Sequence, residues 1–163
     1  MDGSLSPMIS ETVSDTCITQ NEKLFGDSRN SLGTSTKGES MYFVIKRKLP
    51  SLNEVIDANR ENKYVGAKLK SELQEEIGWY IVSAVMRGDL APRNERCTVS
   101  IRWHESTMRR DVDNIQSAQK FILDAMVKQG ILKNDSRKYV SQVYHQIIDD
   151  EEDYVEVFVN DCK

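Results

Sequence analysis

The sequence predicts a single domain of the α/β class, α+β in type, built on a small mixed β-sheet with two main helices. Three observations lead to this prediction. The chain of 163 residues is long enough for one hydrophobic core. From residue 41 onward, runs rich in β-branched and aromatic residues alternate with stretches of helical periodicity. Residues 1–40 lack both patterns and are rich in serine and threonine, which indicates a disordered or weakly ordered tail ahead of a domain over residues 41–163.

The first part of the domain is predicted to hold one strand and two helices. Tyr42–Ile45 is a β-rich run, and Leu52–Ala58 is expected to form a short helix. Apolar residues then recur near the helical period from Val65 to Val85. Gly88 is expected to end this long helix.

The second part is predicted to hold three strands and the other main helix. Residues 97–104 alternate in character, which places Val99, Ile101 and Trp103 on one face of a strand. A helix is expected from Ile115 to Gln129, with Ile115, Ala118, Ile122, Ala125 and Met126 on its core face. The remaining elements are two strands, 139–148 and 154–159, and the exposed acidic turn 149–153 that joins them.

Charge is distributed unevenly along the chain. The net charge is −4, yet residues 41–148 carry 18 basic and 13 acidic residues, a net charge of +5. Residues 1–40 carry a net charge of −3 and residues 149–163 a net charge of −6. The basic middle of the chain can therefore meet phosphate groups.

Several protein classes are excluded by the composition. The sequence has no run of about 18 apolar residues, which a membrane-spanning helix needs. Its start lacks a basic segment followed by an apolar one, so no secretory signal is expected. The three cysteines are scattered and include no CxxC pair, which disfavours a disulfide framework and a zinc ribbon. A cytoplasmic protein without a membrane partner is expected.

The segment Arg109–Asn114 carries the first candidate site. Asp111 and Asp113 are two residues apart, so in an extended segment both carboxylates lie on one side. Paired carboxylates suit Mg²⁺ or Mn²⁺. The alternative is that Asp113 caps the following helix, with Gln116 as its capping-box partner. Capping does not account for Asp111.

Lys120 and Asp135 are further candidates. On a continuous helix Lys120 lies on the same stripe as Asp113, where it could neutralise charge on a phosphate. It could equally be a surface lysine paired with Asp124 at i,i+4. Asp135 follows the helix by enough chain to return towards Asp111 and Asp113, although residues 134–136 also read as an ordinary turn.

These residues together resemble a known family. The segments that carry the resemblance are Arg110-Asp111-Val112-Asp113-Asn114, then Lys120 through Met126, then Gly130 through Asp135. They are similar to the RusA-like crossover junction endodeoxyribonucleases, the small Holliday junction resolvases of bacteria and their phages. The resemblance covers roughly residues 41–160.

The resemblance implies a Mg²⁺-dependent endonuclease that binds four-way DNA junctions as a homodimer and resolves them by paired symmetric nicks. By its motifs Asp111, Asp113 and Asp135 would hold the metal, Lys120 would be the essential lysine, and no organic cofactor is needed. About three more residues separate the DxDN motif from Lys120 than in the shortest members, and Asn134 stands where the family usually has an acid. The setting implied is recombination and repair, or phage DNA processing, in a bacterial cell.

Basic residues near the motif are candidates for contacts with DNA phosphates. They are Arg102, Arg109, Arg110, Lys133, Arg137 and Lys138. Two other functions remain open: an architectural protein that binds branched DNA with little nuclease activity, and a metal-dependent nuclease for flaps or forks.

Overall fold

A mixed β-sheet forms the centre of the domain in the computed structural model, which describes residues 41–162. Its strands lie in the order β1-β4-β2-β3. They are β1 (Met41–Ile45), β2 (Cys97–Glu105), β3 (Val140–Asp149) and β4 (Tyr154–Asp161). Strand β2 is parallel to β3 and antiparallel to β4, and β1 is antiparallel to β4. This arrangement confirms the predicted α+β class with a mixed sheet. The tail predicted for residues 1–40 lies outside the described residues.

The helices among the described residues are α1 (Leu52–Glu61), α2 (Lys63–Arg87), α3 (Val112–Gln116) and α4 (Gln119–Lys128). Local sequence sets several of their ends. Ser51 and Glu54 form a reciprocal capping box at the start of α1. Gly88 ends α2 in the left-handed conformation, with φ of 82°. The predicted end of the long helix is therefore confirmed.

Apolar side chains from one face of the sheet meet the helices in one continuous core. On α3 and α4 the predicted core face is confirmed, since Ile115, Ala118, Ile122, Ala125 and Met126 are all buried. The predicted inner residues of β2, which are Val99, Ile101 and Trp103, are buried as well. The packed sheet and helices thus determine the positions of the loop between β2 and α3 and of the loop between α4 and β3.

The second main helix is not continuous, which corrects the predicted span from Ile115 to Gln129. Ser117 and Ala118 form a turn between α3 and α4. The amides of Ala118, Lys120 and Phe121 bond to carbonyls three residues earlier rather than four. The Ser117 hydroxyl donates to the carbonyl oxygen of Asn114 at 2.9 Å, a local bond that competes with the helical pattern.

The acidic turn after β3 joins two strands that are not neighbours. Strand β2 lies between β3 and β4, so the segment 150–153 crosses the carboxyl end of β2. There the amide of Asp150 donates to the carbonyl oxygen of Glu105 at 3.1 Å. The sequence predicted the two strands and the turn but not this insertion.

Candidate active site

An open cleft of about 660 Å³ lies beside the carboxyl end of β2. The segment after β1, the start of α1, the first half of α2 and the loop before α3 all contribute to its wall. Its lining includes four basic residues, two acidic residues and three polar side chains: Arg47, Lys48, Arg109, Arg110, Glu54, Asp111, Ser51, Asn53 and Asn114. A cleft with excess positive charge favours a negatively charged partner.

A buried carboxylate contacts two of the residues that line this cleft. Glu105 is only 5% exposed. Its Oε1 accepts a hydrogen bond from Nη1 of Arg110 at 2.8 Å. Nζ of Lys48 lies 3.1 Å from Oε2, at an angle that does not make a hydrogen bond. Nη2 of Arg110 also donates to the carbonyl oxygen of Leu49 at 3.1 Å. Two cations therefore compensate the burial of this one carboxylate.

Asp111 and Asp113 lie at the start of α3, but not in the extended segment that the sequence suggested. Asp111 is the N-cap residue, with extended backbone, and Asp113 lies within the first turn. The alternative interpretation, in which Asp113 caps the helix, is therefore wrong. Asp111 makes no side-chain cap bond either. Both residues are exposed, and their carboxylates have no hydrogen-bond or ion-pair partner among residues 41–162.

Lys120 lies in the first turn of α4, with its side chain 67% exposed. Because the turn at Ser117 separates α3 from α4, the predicted continuous stripe from Asp113 to Lys120 does not exist. Nζ of Lys120 lies 3.4 Å from Oδ1 of Asp124, the i,i+4 pair that the sequence offered as an alternative. Lys70 approaches the other oxygen of Asp124 at 3.3 Å. Lys120 is thus held at the surface by a half-buried carboxylate.

Asp135 lies in the loop between α4 and β3. It is exposed and its carboxylate has no partner within the described part of the chain. The predicted basic neighbours Lys133, Arg137 and Lys138 are exposed in the same loop. Nζ of Lys133 and of Lys138 lie 5.9 and 5.6 Å from the ring centroid of Tyr139. This loop therefore presents both cations and a carboxylate to solvent.

Within one chain, Asp135 is not gathered with Asp111 and Asp113. Arg110 ties the segment before Asp111 to Glu105, at the carboxyl end of β2. The loop that holds Asp135 leads into Val140, which pairs with Cys97 at the opposite end of β2. Consistent with this, no three acidic, histidine or cysteine side chains among the described residues are grouped to hold a metal ion.

The basic candidates on β2 and before α3 differ in their availability. Arg109 is exposed and lines the cleft. The side chain of Arg110 is only 14% exposed and is engaged by Glu105. Arg102 lies 3.5 Å from Glu156 and its guanidinium lies 5.0 Å from the ring centroid of Phe158. Arg109 is therefore the one of these three whose charge faces solvent.

Sequence reasoning missed three residues at this cleft. Arg47 and Lys48 follow β1 and line the cleft beside Arg109, and Arg47 also pairs with Glu76. Glu105 ends β2, one residue beyond the strand predicted over residues 97–104. The Lys-Arg-Lys run at 46–48 is a local signal that could have suggested a basic surface. Nothing in the sequence indicated that Glu105 is buried.

The sequence matches the family model described as endodeoxyribonuclease RusA over residues 28–160. The chain belongs to the RusA endodeoxyribonuclease family. The resemblance drawn from the motifs is thereby confirmed. Among curated individual proteins, none matches the chain.

Membership of the RusA family indicates an endodeoxyribonuclease. Within residues 41–162, no helix has the length and apolar character needed to cross a membrane. The residues between the DxDN motif and Lys120 include the turn at Ser117–Ala118.

The donor set of the RusA-family chain fits a hard divalent cation. Asp111, Asp113 and Asp135 offer carboxylate oxygens that no described side chain engages, and such oxygens are the ligands that Mg²⁺ prefers. The fit is incomplete within one chain, since Asp135 lies towards the far end of β2.

Proposed function

We propose that this chain is a Mg²⁺-dependent endonuclease that resolves four-way DNA junctions by paired symmetric nicks, in recombination and repair or in phage DNA processing. The RusA family match supports the junction as substrate. The observation that carries the proposal is the pair of carboxylates, Asp111 and Asp113, that have no partner among residues 41–162 and lie beside a cleft lined by four basic residues. A DNA backbone in this cleft would contact basic side chains, and it would lie next to carboxylates that can hold a metal ion.

We infer that the working unit is a homodimer in which each metal site combines two chains. Asp111 and Asp113 would come from one protomer and Asp135 from its partner. The absence of any group of three acidic side chains within residues 41–162 of one chain supports this arrangement, because a site within one chain would bring the three carboxylates together. Two-fold symmetry then creates two equal sites, which paired cutting of opposed strands requires.

The residues of the site divide the chemical work. Arg109 contacts a phosphate at the cleft entrance, where its exposed charge costs little desolvation. Asp111, Asp113 and Asp135 hold the metal, and Mn²⁺ can replace Mg²⁺. Bound there, the ion supplies an activated water and a Lewis acid for the phosphate. Lys120, kept in place by Asp124, balances negative charge that develops on the phosphate or the leaving oxygen.

Cutting of a labelled synthetic four-way junction tests this proposal. The wild type is expected to make paired symmetric nicks with Mg²⁺, and Asp113→Asn is expected to bind the junction without cutting it. Asp57→Asn is the matched control, since Asp57 is also an exposed helical aspartate but lies in α1, outside the cleft lining. It should cut as the wild type does.

Other outcomes would support different functions. Junction binding by the wild type without cutting, across several divalent metals, would indicate an architectural protein. Preferential cutting of flap or fork substrates over the four-way junction would indicate a nuclease for those structures. Undiminished cutting by Asp113→Asn would remove Asp113 from the metal site.

A further inference from the structure

We propose that Glu105 is a positioning residue that fixes Asp111 at the cleft by holding the side chain of Arg110. The inference rests on the proposed function, since it assigns Glu105 a role in arranging the metal-binding carboxylate. It starts from the position of Glu105, the last residue of β2 and 5% exposed.

Glu105 connects the segments that surround the cleft. Through Lys48 it reaches the segment after β1, and through Arg110 it reaches the loop before α3. Its own carbonyl oxygen accepts from the amide of Asp150 in the acidic turn. Lys48 also lies 3.4 Å from Asp153, and Asp153 accepts from the amide of Ser106 at 2.8 Å. A single buried carboxylate thus organises the carboxyl end of β2.

The loop that leads to Asp111 depends on this contact. Residues 106–109 are all exposed. The Ser106 amide fixes the start of the loop, and Arg110 fixes its end by bonds to Glu105 and to the carbonyl oxygen of Leu49. The planar guanidinium uses both of its terminal nitrogens, so its direction is fixed. Asp111 follows directly in the chain and its own carboxylate has no partner among the described residues.

Removal of the charge on Glu105 should therefore change the position of Asp111, although Glu105 does not contact Asp111. In a Glu105→Gln variant, Arg110 would lose its charged acceptor, while Lys48 would still face Asp153 at 3.4 Å. A bond to a neutral amide is weaker than one to a carboxylate, which would loosen Arg110 and the loop. Residues that orient a metal ligand from outside the ligand set typically alter metal affinity by about tenfold to a hundredfold when mutated.

The first test measures hydrogen exchange of the metal-free protein. Glu105→Gln is expected to exchange faster over residues 106–116, with the exchange of residues 97–104 unchanged. Glu156→Gln is the matched control, because Glu156 is a half-buried strand carboxylate that pairs with Arg102 and His104 and not with Arg110. It should leave residues 106–116 as protected as in the wild type. Equal protection of that segment in Glu105→Gln and wild type would overturn the inference.

The second test measures the Mg²⁺ concentration that gives half-maximal junction cutting. Glu105→Gln should raise this concentration about tenfold or more, with recovery of cutting at saturating Mg²⁺. A uniform loss of cutting at every Mg²⁺ concentration would contradict a positioning role. If Glu105→Gln does not fold, Arg110→Lys keeps the charge but loses the two-point bond, and the same shift is expected.

The two tests separate this inference from the proposed function. A wild type that does not cut any junction would refute the proposed function, and the exchange measurement would still decide whether Glu105 orders the loop before Asp111. If Glu105→Gln exchanges faster but its Mg²⁺ dependence is unchanged, Glu105 orders the loop without positioning a metal ligand. That outcome refutes the inference.

Discussion

Complementation between two inactive variants tests whether each metal site is shared between chains. One variant carries Asp111→Asn and the other carries Asp135→Asn. In a mixed dimer with shared sites, one site has both substitutions and the other has none. The mixed dimer therefore recovers one wild-type site. If each site lies within one chain, both sites of the mixed dimer are damaged.

The structure makes the shared arrangement the expected one. Strand β2 has nine residues, Cys97–Glu105, and eight steps of about 3.3 Å give about 26 Å between its ends. Asp111 is tied to the Glu105 end, and the loop of Asp135 leads into the Cys97 end. Two oxygens that bind the same Mg²⁺ lie within about 4.2 Å of each other. Among the described residues of a single chain, Asp111, Asp113 and Asp135 do not form a group that could hold one ion.

The expected signal follows from random pairing. An equal mixture that has been allowed to exchange subunits contains about half mixed dimers, each with one intact site, so about a quarter of the wild-type sites return. The assay is nicking of a supercoiled plasmid that carries an extruded cruciform. Nicked circles should form, while linear product from paired cuts should stay rare.

A second mixture supplies the control. Asp111→Asn combined with Asp113→Asn damages the same half of the site in both chains, so no mixed dimer regains an intact site. This mixture should stay inactive. Failure of Asp111→Asn and Asp135→Asn to complement, with subunit exchange verified by mass, would refute the shared site.

Four further predictions follow from the contacts. Burial lowers the pKa of His145 below its usual value of 6.5, so the unfolded state binds a proton that the folded state does not. The free energy of unfolding should therefore decrease as the pH falls below about 6.5. Urea titrations should show this decrease, and His145→Gln should flatten the pH dependence. Gly88→Ala should lower stability by about 1 kcal/mol, measured by thermal unfolding, because its φ of 82° disfavours a side chain, and an unchanged Tm would contradict this. Arg109→Ala should reduce the slope of junction affinity against salt by about one, while thermal stability stays the same. Lys120→Met should abolish cutting but retain junction binding, with stability within about 0.5 kcal/mol of wild type because the side chain is 67% exposed.

The hydrogen bonds of His145 give the pH prediction its physical basis. Nε1 of Trp103 donates to Nδ1 of His145 at 3.0 Å, which leaves Nε2 to donate to Gln119 at 2.7 Å. Protonation would place an N–H on Nδ1, directly opposite the Trp103 donor. This chain links β2 through β3 to the start of α4, one residue before Lys120. Acid should therefore disturb the position of Lys120 as well as stability.

Local patterns were sufficient for most of the fold. The helical period from Val65 to Val85 and the glycine after it located α2, because burial of one face and a left-handed end are local demands. The buried face of α3 and α4 was likewise predicted residue by residue. The break at Ser117 was missed. The hydrogen bond from the Ser117 hydroxyl to the preceding turn competes only weakly with the helical bonds, and the spacing of apolar residues does not reveal it.

By itself, the sequence determined the family and the chemical types at the site. The DxDN motif, Lys120 and Asp135 could be read from the chain because their spacing and identity are properties of the linear sequence. The helix start at Asp111 rather than Asp113 was ambiguous, since either aspartate could precede the first turn.

Only the tertiary structure decided how those residues are arranged. The insertion of β2 between β3 and β4 brings the acidic turn across Glu105, and the parallel pairing of β2 with β3 places the loop of Asp135 at the end of β2 opposite Glu105. The fold also buries Glu105 between Lys48 and Arg110, which come from segments more than 60 residues apart. Contacts of this kind depend on strand order, which no local pattern specifies, because hydrophobic alternation records which face is buried and not which strand lies beside it.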